Sequence, residues 1–141
     1  MRTLTAGRMM RPEPQTVAAA TRVEAFRQRF PLGSTSRVIL LDADARYCGV
    51  LVTSDAFAEG VDPQAEVASL AISRDLALSP DMNIEAVMRV FETSGTDELA
   101  VVDHDRHVLG LLAEAYAVRR YAGELERQQL DLYGESHETA S

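Results

Sequence analysis

The chain has 141 residues, 46% of them hydrophobic and 26% charged, which is the composition of an ordinary globular protein, so disorder is not the default reading. Its 22 acidic residues outnumber 14 basic ones, all of them arginine, for a formal net charge of −8; scattered arginines make no basic face for nucleic acid, and the lack of lysine excludes a phosphate-loop lysine or a Schiff base. Cys48 is the only thiol and suits a reducing compartment, and no apolar run approaches the ~20 residues of a membrane span, so no membrane insertion and a cytoplasmic location are expected.

In chain order, Met9-Met10-Arg11-Pro12 is followed by a short extended piece, Gln15-Thr16-Val17. Val23, Phe26 and Phe30 then show sparse helical spacing. Val38–Leu41 and Tyr47–Val52 predict two strands, joined as a hairpin by the turn-forming aspartates Asp42 and Asp44. A second helix is expected from Ser54. The pattern then restarts. Leu76-Ala77-Leu78 is extended, and Ile84, Val87, Met88 and Phe91 recur at i, i+3, i+4 and i+7 as in an amphipathic helix. Leu99–Val102 and Val108–Leu112 make a second hairpin around Asp103 and Asp105, and a helix begins near Glu114. The strands are continuously apolar, as strands covered by helices are.

The restart is an internal duplication. Shifting the C-terminal half back by 61 residues places Gly110 on Gly49 and aligns residues 17–57 with 78–118 without a gap. Glu24-Ala25 falls on Glu85-Ala86, Phe30 on Phe91, Thr35 on Thr96, Asp42 on Asp103 and Asp44 on Asp105. The expected fold class is α/β, two β-α-β-β-α repeats packed as a pseudo-twofold pair, with matching elements throughout.

After Glu114, apolar residues recur at Val118, Tyr121-Ala122 and Leu125, with Leu132 further on. Gly123 weakens this helix by about 1 kcal/mol relative to alanine, so the segment depends on packing, either over its own sheet or against a second subunit or larger partner. Glu135–Ser141 is polar and expected to be disordered.

Two stretches resemble the repeats of the CBS (cystathionine-β-synthase-type) family: Ser36-Arg37-Val38-Ile39-Leu40-Leu41-Asp42, and Gly49-Val50-Leu51-Val52-Thr53-Ser54-Asp55. Met9–Pro12 is similar to the opening of a first repeat. The resemblance covers residues 4–122 and divides the chain into repeat 1 (4–60), a linker (61–75), repeat 2 (76–122) and a helix end with tail (123–141). It implies a non-catalytic regulatory module that forms a homodimer through its helices. Asp75–Ala86, containing Leu78-Ser79-Pro80-Asp81-Met82-Asn83, and Glu114–Tyr121 further resemble the cytoplasmic C-terminal region of bacterial voltage-gated-type chloride channels. This implies the cytosolic part of a chloride channel or transporter, partnered by its membrane domain. The alternative is a free-standing adenine-nucleotide sensor that regulates an enzyme.

For nucleotide binding the resemblance implies Asp55, Ala77, Leu78 and Ala100. Asp55 keeps the carboxylate that meets ribose hydroxyls, whereas the matching residue of the second repeat is Tyr116, and Val52 and Ala113 stand where the family has threonine. Asp97 and Glu98 add negative charge near an anionic ligand, which Arg37 or Arg74 would have to offset. AMP, ADP and ATP are therefore expected to bind weakly or not at all, and no cofactor is expected. Asp103-His104-Asp105-Arg106-His107 looks like a metal cluster, but its counterpart Asp42–Arg46 shares only the aspartates, so a turn explains both. Cys48 aligns with Leu109 as a small buried hydrophobe. Gly33-Ser34-Thr35-Ser36 lacks the second glycine of a nucleophile elbow. No catalytic constellation and no metal site are read.

Overall fold

The computed structural model describes residues 4–140, with side chains over 4–132. Chain order is α1 (Ala6–Met9), β1 (Arg11–Pro12), β2 (Thr16–Ala18), α2 (Val23–Arg29), β3 (Arg37–Leu41), β4 (Tyr47–Val52), two 3-10 helices (Thr53–Phe57 and Val67–Leu70), α3 (Ile84–Ser94), β5 (Glu98–Val102), β6 (Val108–Ala113) and α4 (Glu114–Ala140). The strands form two three-stranded sheets, β2-β3-β4 and β1-β6-β5.

The duplication is visible in the core. Val23, Phe26, Phe30, Val38, Leu51 and Ala56 belong to one apolar cluster. The residues 61 places on, Ile84, Val87, Phe91, Leu99, Leu112 and Ala117, belong to another. Ile39, Val50 and Tyr47 of the first repeat meet Ala100 and Leu111 of the second in a third cluster between the sheets. Burying each large side chain contributes about 1.5–3 kcal/mol.

Both hairpins turn the same way. The Asp42 carboxylate accepts from the N–H groups of Asp44 and Arg46 at 2.9 and 3.0 Å, and Asp103 accepts from Asp105 and His107 at 2.9 Å each. Ala45 and Arg106, again 61 apart, both adopt left-handed backbone, with φ of 60° and 67°. The N–H groups that hold the two carboxyls, Arg46 first for Asp42 and His107 first for Asp103, depress both below the ordinary aspartate value.

The repeat boundaries differ from those expected. The segment before β2 does not pack on its own repeat: Arg11 pairs with Leu111 of β6, and Leu4, Ala6 and Met9 enter the core of the second repeat. Reciprocally, the expected linker packs on the first repeat, where Val67 joins the core and Ile72 bridges to Val50. The crossing is symmetric. Ala6 N–H donates to Met82 O at 2.9 Å and Val67 N–H donates to Thr21 O at 2.8 Å, the same bond 61 residues apart. Glycine permits the close approach: a Cβ on Gly110 would lie 2.7 Å from Arg11 O, and one on Gly49 would lie 3.1 Å from Ile72 O.

Three elements break the match between halves. The helix expected from Ser54 is only the 3-10 turn Thr53–Phe57, ended by extended backbone at Ala58 with Gly60 and Pro63 following, whereas its counterpart α4 runs 27 residues. The expected strand Leu76–Leu78 is reduced to a single bridge from Leu78 to Val101. Helix α2 has 7 residues and no side-chain cap. Its counterpart α3 has 11, capped by Asn83 and ended by Gly95, in keeping with its clearer periodicity. Helix α4 also continues to Ala140, through the tail expected to be disordered. Composition explains part of this, since Glu124, Leu125, Glu126, Arg127, Gln128 and Gln129 are good helix formers; the side chains beyond Leu132 and residue Ser141 lie outside the described residues.

Candidate functional site: the cleft between the repeats

Because the repeats are related by a pseudo-twofold, equivalent residues meet where they cross. Arg37 begins β3 and Glu98 begins β5. The Arg37 guanidinium reaches across with both terminal nitrogens, Nη1 to Glu98 Oε2 and Nη2 to Asp97 Oδ1, each at 2.6 Å. The Arg37 and Glu98 side chains are 22% and 15% exposed, against 67% for Asp97. One pair is therefore half-buried, and the other is open to water and salt. Among the described residues, Arg37 Nε is buried without a partner.

The ion pairs lie in an open cleft of about 690 Å³, which also takes in Ser36, Glu114 and Arg119. Glu98 is shared with a second cleft of about 360 Å³ lined mainly by apolar residues, including Met9, Met10, Leu111 and Tyr116. Tyr116 is surrounded by cations: Arg120 Nη1 donates to its hydroxyl at 2.7 Å, and the Arg119 guanidinium carbon lies 5.8 Å from its ring centroid. The position 61 residues after Asp55 thus holds a phenol already engaged by arginine.

At the other end of the interface the two hairpin turns meet. Arg106 places its guanidinium 5.6 Å from the Tyr47 ring centroid and donates to Tyr47 O at 3.0 Å and Arg74 O at 3.2 Å. The Tyr47 hydroxyl donates toward Ser73 O at 2.6 Å, with Leu76 O at 3.1 Å. Burial pushes this phenol up to about 12. Burial likewise raises the Cys48 thiol, as expected of a residue that packs rather than reacts.

The four residues implied for nucleotide binding fall in different surroundings. Asp55 is exposed in the 3-10 turn. Leu78 is fully buried in the core of the second repeat, its N–H donating to Ala100 O at 2.8 Å. Ala100 is fully buried between the sheets, with Ala77 packed against the same cluster. Of the two arginines considered as offsets for Asp97 and Glu98, Arg37 takes that place, while Arg74 binds the Ala68 carbonyl. Sequence reasoning named Arg37 and Arg74 as the residues to offset these charges without choosing between them, although the 61-residue alignment puts Arg37 and the oppositely charged Glu98 at one position. It missed the Arg120–Tyr116 contact, whose signal is the i, i+4 spacing. Asp103, Asp105 and His107 lie close enough for one metal ion, but Asp103 Oδ1 already serves the turn.

Residues 67–123 match the family model described as the CBS domain. No curated protein matches the sequence. Among solved structures, the chain is similar to the cytosolic domain of the Mg2+ channel MgtE in complex with ATP, at 26% identity and a TM-score of 0.68, over 82% of this chain and 48% of that one. It thus spans about half of that domain. The CBS domains of a transcriptional regulator from Streptococcus pneumoniae are similar at 18% identity and a TM-score of 0.66, over 82% of this chain and 98% of that one. CBSX2 in complex with AMP is similar at 20% identity and a TM-score of 0.69, over 85% and 97%.

Proposed function

Given that this chain is folded as a CBS domain pair, with a CBS domain at residues 67–123, we propose that it is a non-catalytic regulatory module serving as the cytosolic part of a membrane ion transporter. The observation that carries this reading is the 26% identity to the cytosolic domain of a Mg2+ channel, joined to an inter-repeat interface that ends in polar contacts rather than sealed apolar packing. A ligand or partner that favours one relative setting of the repeats shifts the pair by its differential affinity for the two settings, and the shift passes to the attached pore. A chloride channel is the transporter that the motifs at Asp75–Ala86 and Glu114–Tyr121 favour. No described helix is long and apolar enough to cross a membrane itself.

The module works as a homodimer in this proposal. Val118 and Leu125 on α4 are 46% and 43% exposed, an apolar surface that a second copy covers, with an interface above roughly 1,000 Å². Sedimentation at micromolar concentration tests this, and a monomer there counts against it. The regulatory reading is tested by ion flux through the parent transporter with this segment deleted. The expected result is altered gating with the pore still conducting; unchanged gating refutes it.

The exposed Asp55 favours the second reading, an adenine-nucleotide sensor. Calorimetry with AMP, ADP and ATP decides between them: weak or no binding is expected, and micromolar binding abolished by Asp55→Ala makes nucleotide sensing the better account.

A further inference from the structure

We infer that the turn of the second hairpin is a binding site for a divalent transition-metal ion of the zinc class, held by Asp103, Asp105 and His107, and that the bound ion fixes the contact Arg106 makes with the first repeat. The inference goes beyond the regulatory reading and holds whichever protein the module regulates.

Three observations carry it. First, the side chains stand at metal-bridging rather than hydrogen-bonding distance. One donor atom each of Asp103, Asp105 and His107 lies within 4.8 Å of the other two. His107 Nδ1 is 3.6 Å from Asp103 Oδ2, and His104 Nε2 is 3.5 Å from Asp105 Oδ2. These gaps exceed a good hydrogen bond and approach the ~3.4 Å edge of a tetrahedron whose ligands lie ~2.1 Å from a zinc ion. The turn engages Asp103 through Oδ1, and Oδ2 is the oxygen that faces the imidazole.

Second, the first hairpin shows what the turn itself requires. Asp42 Oδ1 accepts the same two backbone bonds, and Ala45 shares the left-handed backbone of Arg106, yet Ala43 and Arg46 stand where the second turn has His104 and His107. The imidazoles are therefore surplus to the turn, and they convert a carboxylate loop into a mixed nitrogen and oxygen donor set. Such a set suits zinc, nickel, cobalt or copper, whereas magnesium and calcium take oxygen ligands. Third, the one arginine of the loop turns away from the carboxylates. Arg106 donates to Tyr47 O and Arg74 O and lies against the Tyr47 ring.

The site is also placed to act on the pairing of the repeats. Arg106 stands between the ligands Asp105 and His107, and its carbonyl accepts from the Tyr47 N–H of the first repeat at 2.8 Å. An ion bound on both sides of Arg106 holds that backbone bond and the guanidinium contact together. Asp105 and His107 are exposed, so the ion enters directly from solvent.

The test is calorimetric titration of zinc chloride into the whole purified chain. One ion per chain should bind, with a Kd below about 100 μM. His107→Ala and Asp105→Asn keep both backbone N–H groups that Asp103 accepts, and each should weaken binding at least about tenfold. Asp44→Asn in the other turn, Cys48→Ser and His137→Ala remove donors elsewhere and should leave affinity unchanged. No binding in this range overturns the inference, as does binding that survives His107→Ala or is lost with Cys48→Ser or His137→Ala. Should either turn variant fail to fold, the other decides. Magnesium chloride in large excess should not displace zinc, and displacement overturns the metal class. In hydrogen exchange, the Tyr47 amide should exchange more slowly with zinc than without it, a difference that vanishes in His107→Ala; equal rates overturn the link to Arg106. None of these readouts depends on transport, so failure here leaves the regulatory reading to its own flux experiment.

Discussion

Arg37 and Glu98 occupy the same position of the two repeats, 61 residues apart, and their side chains meet at 2.6 Å. A duplicated protein with identical residues at that position would bring like charges together on the pseudo-twofold. Divergence to opposite signs turns the crossing point into a bond between the repeats. Arg37→Ala should destabilise the chain by about 1–3 kcal/mol, because Glu98 is left half-buried without its cation. Replacing both by apolar residues, Arg37→Met with Glu98→Leu, should cost less than the sum of the single changes. Urea unfolding of the four chains measures the difference.

The opposite end of the interface answers to alkaline pH. Tyr47 has its phenol pushed up to about 12 by burial, from an ordinary value of 10.0. A folded value above the unfolded one means that its contribution is fully present below pH 10 and is lost as pH rises through about 12. Tyr47→Phe removes the bonds to Ser73 O and Leu76 O and should cost about 1–2 kcal/mol at neutral pH. It should also flatten the alkaline fall in stability. In the unsubstituted chain, tyrosinate absorbance should include a component rising near pH 12 that is missing from Tyr47→Phe.

At acid pH the two hairpin turns are the sensitive elements. Asp42 and Asp103 are held below the ordinary value of 3.8 chiefly by the N–H groups of Arg46 and His107. Their folded values lie under the unfolded ones, so the stability they contribute is present above about pH 4 and is lost as pH falls through the folded values. Asp42→Asn with Asp103→Asn keeps an oxygen acceptor in each turn but removes the titration. Urea midpoints between about pH 5 and pH 2 should therefore fall less steeply in this variant than in the unsubstituted chain.

The crossed opening segments rest on two glycines. Gly110→Ala puts a Cβ 2.6 Å from Met10 Sδ and 2.7 Å from Arg11 O. The sulfur can move but the carbonyl belongs to β1, so the strand must shift, at a cost of about 1–3 kcal/mol. Trypsin should then cut after Arg8 faster than in the unsubstituted chain. Unchanged cleavage and stability would show that β1 is not held by this approach.

The repeat is written in the order of residues. A 61-residue shift, periodic apolar residues and paired turn aspartates specify two hairpins, each with its helix, because these are local features with a fixed hydrogen-bonding or burial pattern. The residues that fill the core of one half predict those of the other. What passes between the halves is settled by packing instead. By order along the chain, segment 4–12 reads as part of its own repeat and 65–72 as a linker, yet each completes the repeat on the far side of the crossing. Nothing local distinguishes a short strand that pairs with its neighbour from one that pairs as Arg11 does with Leu111. The cleft shows the same division. Arg37, Asp97 and Glu98 were legible as charges, but their meeting depends on a crossing of two sheets, set by the burial of Ile39, Val50, Ala100 and Leu111 between them. Those four residues announce only that they are apolar; which surface covers them follows from the packing of the whole chain.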